Sequence, residues 1–261
     1  MHRSVNDTRR SVATRPKLAL TTNGIGLDRL APALREAGLD RVNVSLDTLL
    51  ADRFATLTRR ERLDDVLAGL HAADTVGLRP VKINSVLMRG VNDDEAADLL
   101  RFALRNGYEL RFIEQMPLDA QHAWRRGEMV TADEILSQLR SAFTLEPDPR
   151  HRGAAPAETW VVSGYTTMDG DPARVGVIAS VSQPFCGSCD RTRLTADGQI
   201  RNCLFGQEET DLRGLLRGVA GWQHAHRPVL RRRPGRRRGE RGGADRRHAR
   251  GPASSDGRRA R

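Results

Sequence analysis

The chain has 261 residues, 38% of them hydrophobic, and a formal net charge of +10, which is enough apolar material for one large packed domain or two small ones and excludes a wholly disordered chain. No stretch approaches the ~20 apolar residues of a membrane span, and residues 1–16 lack the apolar segment of a secretory signal, so a soluble, cytoplasmic protein is expected. The charge is not spread over the chain: residues 227–261 hold 14 Arg against Glu240, Asp245 and Asp256, for +11, which leaves −1 for the rest and speaks against a folded nucleic-acid-binding face.

In chain order, residues 1–16 are irregular. Arg3, Arg9, Arg10 and Arg15 give them the look of a transit peptide, but 41 of the 43 basic residues are Arg, so arginine there carries little weight. From residue 17, short aliphatic runs alternate with longer helical patterns. Strands are predicted at 17–21, 41–46, 81–88 and 110–114, and residues 27–37, 63–76 and 95–105 between them repeat apolar side chains with helical spacing. Gly38, Gly77 and Gly107 stand just beyond those patterns as carboxyl-terminal stops. A fourth helix is predicted over 132–142, capped by Thr131 with Glu134 three residues on. Residues 147–156 form a loop, followed by strands at 158–163 and 174–181 and a hairpin around Asp197-Gly198. From Arg227 on, Val229 and Leu230 are the only sizeable aliphatics, so the tail cannot offset its ordering entropy and is expected to be disordered. A basic arm, a solvated tail and the product of a shifted reading frame compete to explain it; the scarcity of Lys speaks for GC-rich coding and so for the shifted frame.

Three successive strand-to-helix units argue for an α/β fold with a parallel sheet. No Gly-x-Gly-x-x-Gly follows a strand, so a dinucleotide fold lacks support. A partial (βα) barrel is expected, with functional groups at the carboxyl ends of its strands. The predicted division is an irregular start over 1–16, the partial barrel over 17–143, a small β-rich region over 144–217 that holds all three cysteines, and the Arg-rich tail over 218–261.

The strongest chemical signal is Cys186-Gly-Ser-Cys189 followed by Cys203, the only cysteines present. A disulfide leaves one thiol over, and three unrelated buried cysteines is the bland alternative. If the Ala196-Asp197-Gly198 turn pairs Thr195 with Gln199, the register sets Arg191 opposite Cys203, and the three sulfurs can converge on one ion or cluster. Zinc needs a fourth ligand, for which His224 and His226 are the nearest candidates. An iron–sulfur cluster on three thiolates keeps one iron open to a small molecule.

Cations stand where charge is expensive. Lys82 lies between Val81 and Ile83, and Arg111 between Leu110 and Phe112, in strands that a parallel arrangement would cover on both faces. Each needs an anion, from an internal salt bridge or from a ligand. Asn84 shares a face with Lys82, and Arg191 and Arg193, two apart in an extended segment, point the same way. Four cations beside an open cluster point to a phosphorylated ligand. Thr21, Thr22, Asn23, Ser45 and Asp47 end strands and suit ligand contact or helix capping alike. Met116, Trp124 and Trp160 read as packing or lid residues, and Arg59-Arg60-Glu61-Arg62 as a solvated helix start.

Taken together, these residues resemble the GTP 3′,8-cyclase family, the radical S-adenosylmethionine enzymes that open molybdenum cofactor biosynthesis. Leu20-Thr21-Thr22-Asn23-Gly24, Arg41-Val-Asn-Val-Ser45-Leu-Asp47, Val81-Lys82-Ile-Asn84, Arg111-Phe-Ile-Glu114-Gln-Met116 and Phe185-Cys186-Gly-Ser-Cys189-Asp-Arg191-Thr-Arg193 through Cys203 carry the likeness, in order, over about residues 18–217. The resemblance implies a barrel of the radical S-adenosylmethionine type lacking its first strands. It further implies a second 4Fe-4S cluster on Cys186, Cys189 and Cys203 whose free iron takes guanine. Thr21, Lys82, Arg111, Arg191, Thr192 and Arg193 would contact GTP, and Ser45 and Met116 would contact S-adenosylmethionine. In the implied reaction a 5′-deoxyadenosyl radical removes hydrogen from ribose C3′, and the carbon radical adds to C8, giving a cyclic product that cyclic pyranopterin monophosphate synthase consumes. The family also uses a first 4Fe-4S cluster on a Cys-x3-Cys-x2-Cys, and no cysteine precedes Cys186 here, so little cyclase activity is expected of this chain alone. A homodimer stays open, and neither nucleic acid nor membrane is expected as a partner. The competing reading is a zinc-stabilised module whose basic tail engages nucleic acid.

Overall fold

The computed structural model describes residues 16–118, 124–206 and 208–217. The irregular start, the tail and the candidate zinc ligands His224 and His226 lie outside the described residues, apart from Pro16 at the end of the start. Up to Arg193 the described residues form one compact unit, and from Leu194 a second.

In the first unit Ala19–Thr22 (β1) leads to Leu27–Glu36 (α1), Arg41–Ser45 (β2) to Ala51–Thr58 (α2) and Leu63–Thr75 (α3), Lys82–Ser85 (β3) to Ala96–Arg105 (α4), and Glu109–Ile113 (β4) to Ala132–Ala142 (α5). Leu145–Pro147 (β5), Glu158–Thr166 (β6) and Pro172–Ile178 (β7) follow. Arg193–Leu194 (β8) straddles the division, and Gln199–Arg201 (β9), Thr210–Asp211 (β10) and Leu212–Arg217 (α6) belong to the second unit. The alternating pattern is present as read from the sequence, with ends trimmed by a few residues. Not read from the sequence were β5, β10, α6 and α2, the last of which buries only Phe54 among its eight residues and so shows too little apolar repetition to stand out. The Arg59-Arg60-Glu61-Arg62 run is the exposed link from α2 into α3. At α5 the cap forms as expected: Glu134 N–H donates to Thr131 Oγ1 at 3.3 Å, and Thr131 N–H donates to Glu134 Oε2 at 2.8 Å. In the second unit β9 and β10 are antiparallel, and Thr195 N–H donates to Gln199 O at 2.9 Å, the pairing read for the Asp197-Gly198 turn.

The seven strands of the first unit lie in the order β1-β2-β3-β4-β7-β6-β5. Pairing is parallel from β1 across to β7, and antiparallel from β7 through β6 to β5. Alternate strand residues decide which face is which. Val42, Val44, Ile83, Leu110, Phe112, Val175 and Val177 are buried in one cluster with Leu27 and Ala31 of α1, Phe54 of α2, Val66 and Leu70 of α3, Leu99 and Ala103 of α4, and Ile135 and Leu139 of α5. The alternating set of Arg41, Asn43, Lys82, Asn84, Glu109 and Arg111 stays half-exposed. Lys82 and Arg111, expected in strands covered on both faces, therefore lie on a face that these helices leave uncovered, as in the wall of a barrel. Among the described residues no helix is long and apolar enough to cross a membrane.

The turn after β1 packs tightly on α3. Gly24, at φ +82°, is buried against Val66 and Val44, and a Cβ added at Gly69 of α3 would stand 2.6 Å from Gly24 O and 3.0 Å from Leu27 Cβ. Gly69→Ala therefore forces the helix away from the turn, at a cost of ~1–3 kcal/mol for overpacking, against ~1 kcal/mol gained in helix propensity. A lower urea midpoint is expected; an equal or higher one would show that α3 shifts freely.

Candidate functional site

Register brings the predicted residues of four strands into rows on the helix-free face. Thr21 lies beside Asn43, Asn43 beside Lys82, and Lys82 beside Glu109; one row on, Ser45 lies beside Asn84, Asn84 beside Arg111, and Arg111 beside Gly176. Asn43 links the rows: its Nδ2 donates to Thr21 Oγ1 at 3.1 Å, and its Oδ1 accepts from Arg111 Nη2 at 2.8 Å. Lys82 Nζ pairs with Glu109 Oε2, so the internal salt bridge weighed for this lysine exists. Burial pushes the Lys82 ammonium below its ordinary pKa, Glu109 pulls it back up, and Arg111 and Arg41 push it down again. Burial likewise lowers Arg111. Two buried guanidinium nitrogens, Arg41 Nε and Arg111 Nε, and the carbonyl oxygen Asn84 Oδ1 have no hydrogen-bond partner among the described residues. Across from Arg111, a Cβ at Gly176 would approach Arg111 Cγ to 3.1 Å, so the glycine leaves room for the arginine stem. Asn43, Glu109 and Arg41 were not singled out from the sequence. Their signal was strand alternation, since Asn43 stands two residues from Ser45, Glu109 two from Arg111, and Arg41 four from Ser45, each on the same face of its strand.

At the carboxyl ends of β1 and β2, a cavity of about 140 Å³ is lined by Asn23, Ser45, Asp47, Thr48, Phe54 and their neighbours. Burial pushes the Asp47 carboxyl up, against the Val86 N–H that donates to its Oδ1 at 2.8 Å. Buried Glu95 fixes this wall by accepting from Thr48 Oγ1 at 2.7 Å, Leu49 N–H at 2.9 Å and Arg53 Nη1 at 2.8 Å. Met116, half-buried beyond β4, is not among the residues lining the cavity. Trp160 is a core residue, and half-buried Trp124 donates its indole N–H to Gln115 O at 3.0 Å.

The segment leaving β7 is fastened by Glu114, whose buried carboxylate accepts from Ala132 N–H, Val181 N–H and Ser182 N–H, each at 2.8 Å, and from the Ser182 hydroxyl. Beyond it, Cys186–Ser188 forms a single 3-10 turn, with Cys189 N–H donating to Cys186 O at 3.4 Å. Both thiols are free and Cys186 is exposed. Burial pushes the Cys189 thiol up, but the backbone N–H and guanidinium of Arg191 and the charge of Arg193 outweigh it and bring the thiol below its ordinary value. Arg191 Nε donates to Cys189 Sγ at 3.4 Å while its guanidinium lies 5.0 Å from the centre of the Phe185 ring. Thr192 is exposed, and Arg193 Nη1 is buried without a partner among the described residues. Two thiols three residues apart, with Cys189 in a thiolate-stabilising setting, fit soft-metal or iron–sulfur ligation. Cys203 belongs to the second unit, and among the described residues no three His, Cys, Asp or Glu side chains form a metal-binding group.

Residues 108–238 match the family model described as Molybdenum Cofactor Synthesis C. The chain belongs to the molybdenum cofactor synthesis C family. Residues 5–103 match the Radical SAM superfamily model. Over 207 residues, 79% of this chain, it is 65% identical to a GTP 3′,8-cyclase of Streptomyces coelicolor and 61% identical to GTP 3′,8-cyclase 2 of Mycobacterium tuberculosis. The chain spans 59% and 57% of the length of those relatives. A solved structure of coproporphyrinogen III oxidase from Escherichia coli aligns at a TM-score of 0.38 and 15% identity over 49% of this chain and 31% of that one, too distant to carry an argument. The α/β architecture and the family resemblance read from the sequence agree with these matches.

The Lys82–Glu109 pair gives a signed expectation. Lys82 titrates below its ordinary value in the fold, so its protonated form costs stability at neutral pH, and that cost fades as pH rises past its folded pKa. Removing Glu109 deepens the cost. Glu109→Gln is expected to lose ~1 kcal/mol at neutral pH, with the gap to wild type narrowing as pH approaches ~10. Denaturant midpoints across that range test it; a gap that widens toward high pH would refute the pairing.

Proposed function

We propose that this chain is the substrate-binding part of a GTP 3′,8-cyclase, acting in the conversion of GTP to (8S)-3′,8-cyclo-7,8-dihydroguanosine 5′-triphosphate. The observation that carries the reading is the row structure of the sheet: Thr21, Lys82 and Arg111 come from three strands onto one half-exposed face, where a buried guanidinium N–H of Arg111 has no acceptor among the described residues. A triphosphate supplies the missing acceptors, and guanidinium forks suit its oxygens. Lys82 and Arg111 hold phosphate oxygens, Thr21 adds a hydroxyl, and Arg191, Thr192 and Arg193 close on the nucleotide from the segment that Glu114 anchors. Ser45, at the mouth of the cavity above β2, and Met116 contact S-adenosylmethionine.

Cys186, Cys189 and Cys203 would hold a 4Fe-4S cluster, which when bound supplies an open iron for the guanine; S-adenosylmethionine with a further 4Fe-4S cluster supplies the radical. The chain's own residues bind and orient. They fix ribose and base relative to each other and exclude water from the reacting carbons, work of positioning rather than of acid and base pairs. The product passes to cyclic pyranopterin monophosphate synthase, and the setting is the cytoplasm. No observation favours the zinc-held, nucleic-acid-binding reading.

Two measurements test this. Equilibrium binding should detect GTP, and Arg191→Ala combined with Arg193→Ala should weaken it at least tenfold, ~1.4 kcal/mol; unchanged affinity would remove both arginines from the site. Anaerobic reconstitution should give a brown protein with about four irons per chain, lost in Cys203→Ser, whereas stoichiometric zinc without iron would overturn the cluster assignment.

A further inference from the structure

We infer that Arg41 is a third cation of the anion-binding face and takes the terminal phosphate of the nucleotide, so that it discriminates a triphosphate from shorter chains. The inference rests on the reading of this face as the triphosphate site. Arg41 opens β2 on the same face as Asn43, one row below Lys82 and two rows below Arg111 as the strands run toward their carboxyl ends. Rows on one face are two residues, ~6.6 Å, apart, so Arg111, Lys82 and Arg41 mark successive depths along the strands, with Arg41 farthest from the loops that follow them. Its charge is felt by both Lys82 and Arg111. The Nε of Arg41, like that of Arg111, is buried and has no acceptor among the described residues, an arrangement that costs stability until something fills it. The carboxylate beside these cations, Glu109, is engaged with Lys82. Three cations against one carboxylate leave a half-buried surplus of positive charge, and a chain of phosphates lying along the strand direction would offset it step by step, with its far end on Arg41.

The test compares GTP, GDP, GMP and inorganic tripolyphosphate binding to the whole chain and to Arg41→Gln. Arg41→Gln should weaken GTP and tripolyphosphate about tenfold or more, GDP less, and GMP not at all, and Arg41→Lys should recover part of the loss. If Arg41→Gln binds GTP as wild type does while the Arg191→Ala, Arg193→Ala variant loses it, the role of Arg41 is overturned and the function of the face stands. Equal losses for GMP and GTP would overturn it too, because they mark a general disturbance rather than contact with the last phosphate. If wild type binds neither GTP nor tripolyphosphate, the reading of the face falls and this inference with it. Circular dichroism monitors folding; should Arg41→Gln fail to fold, Arg41→Met, which keeps the aliphatic stem, takes its place with the same outcomes.

Discussion

The one-sided helix cover of the sheet is the constraint from which the rest of the first unit follows. All five helices of that unit feed one apolar cluster with alternate residues of the strands, Val42, Val44, Ile83, Leu110 and Phe112 among them. The pleat then commits the intervening residues to the other face. Arg41, Asn43, Lys82, Asn84, Glu109 and Arg111 stand together because their neighbours in sequence are needed in the core. A one-residue slip in register would bury the cations and expose the valines, so the apolar core and the polar face specify each other.

Two buried carboxylates complete the upper end of the sheet. Glu95 gathers donors from Thr48, Leu49 and Arg53, and Glu114 gathers them from Ala132, Val181 and Ser182. Each sits where a loop would otherwise leave backbone N–H groups unpaired out of water. Together they turn loops into fixed walls: one behind the cavity at Ser45 and Asp47, the other at the root of the segment carrying Cys186, Cys189, Arg191 and Arg193. The donors to Glu114 are mostly backbone groups, so no partner residue type betrays it in the sequence, and the side-chain donors to Glu95, Thr48 and Arg53, stand more than forty residues away from it.

The electrostatics of the two regions share a logic. On the sheet face, burial weakens Lys82 and Arg111, and Glu109 supports them. At the cysteine turn, burial works against the Cys189 thiolate, and Arg191 with Arg193 supports it. In each case an opposite charge close by favours the charged form of a group that burial disfavours, a setting suited to a ligand of matching chemistry.

Much of this was legible in the sequence. Apolar periodicity located α1, α3, α4 and α5, the Thr131 and Glu134 spacing located a cap, and the order of short motifs from Leu20 to Cys203 identified the family, because these signals are local or depend on residue identity alone. What tertiary structure decided was pairing. It joined β7, β6 and β5 to the parallel strands in one sheet, placed the helices on one face and not both, gave Lys82 its carboxylate across β4, and brought Arg41 and Asn43 into line with residues as distant as Arg111. The physical reason is that a strand's sequence shows which residues alternate, but only its neighbours, chosen by the burial of the whole core, settle which side those residues share and with whom.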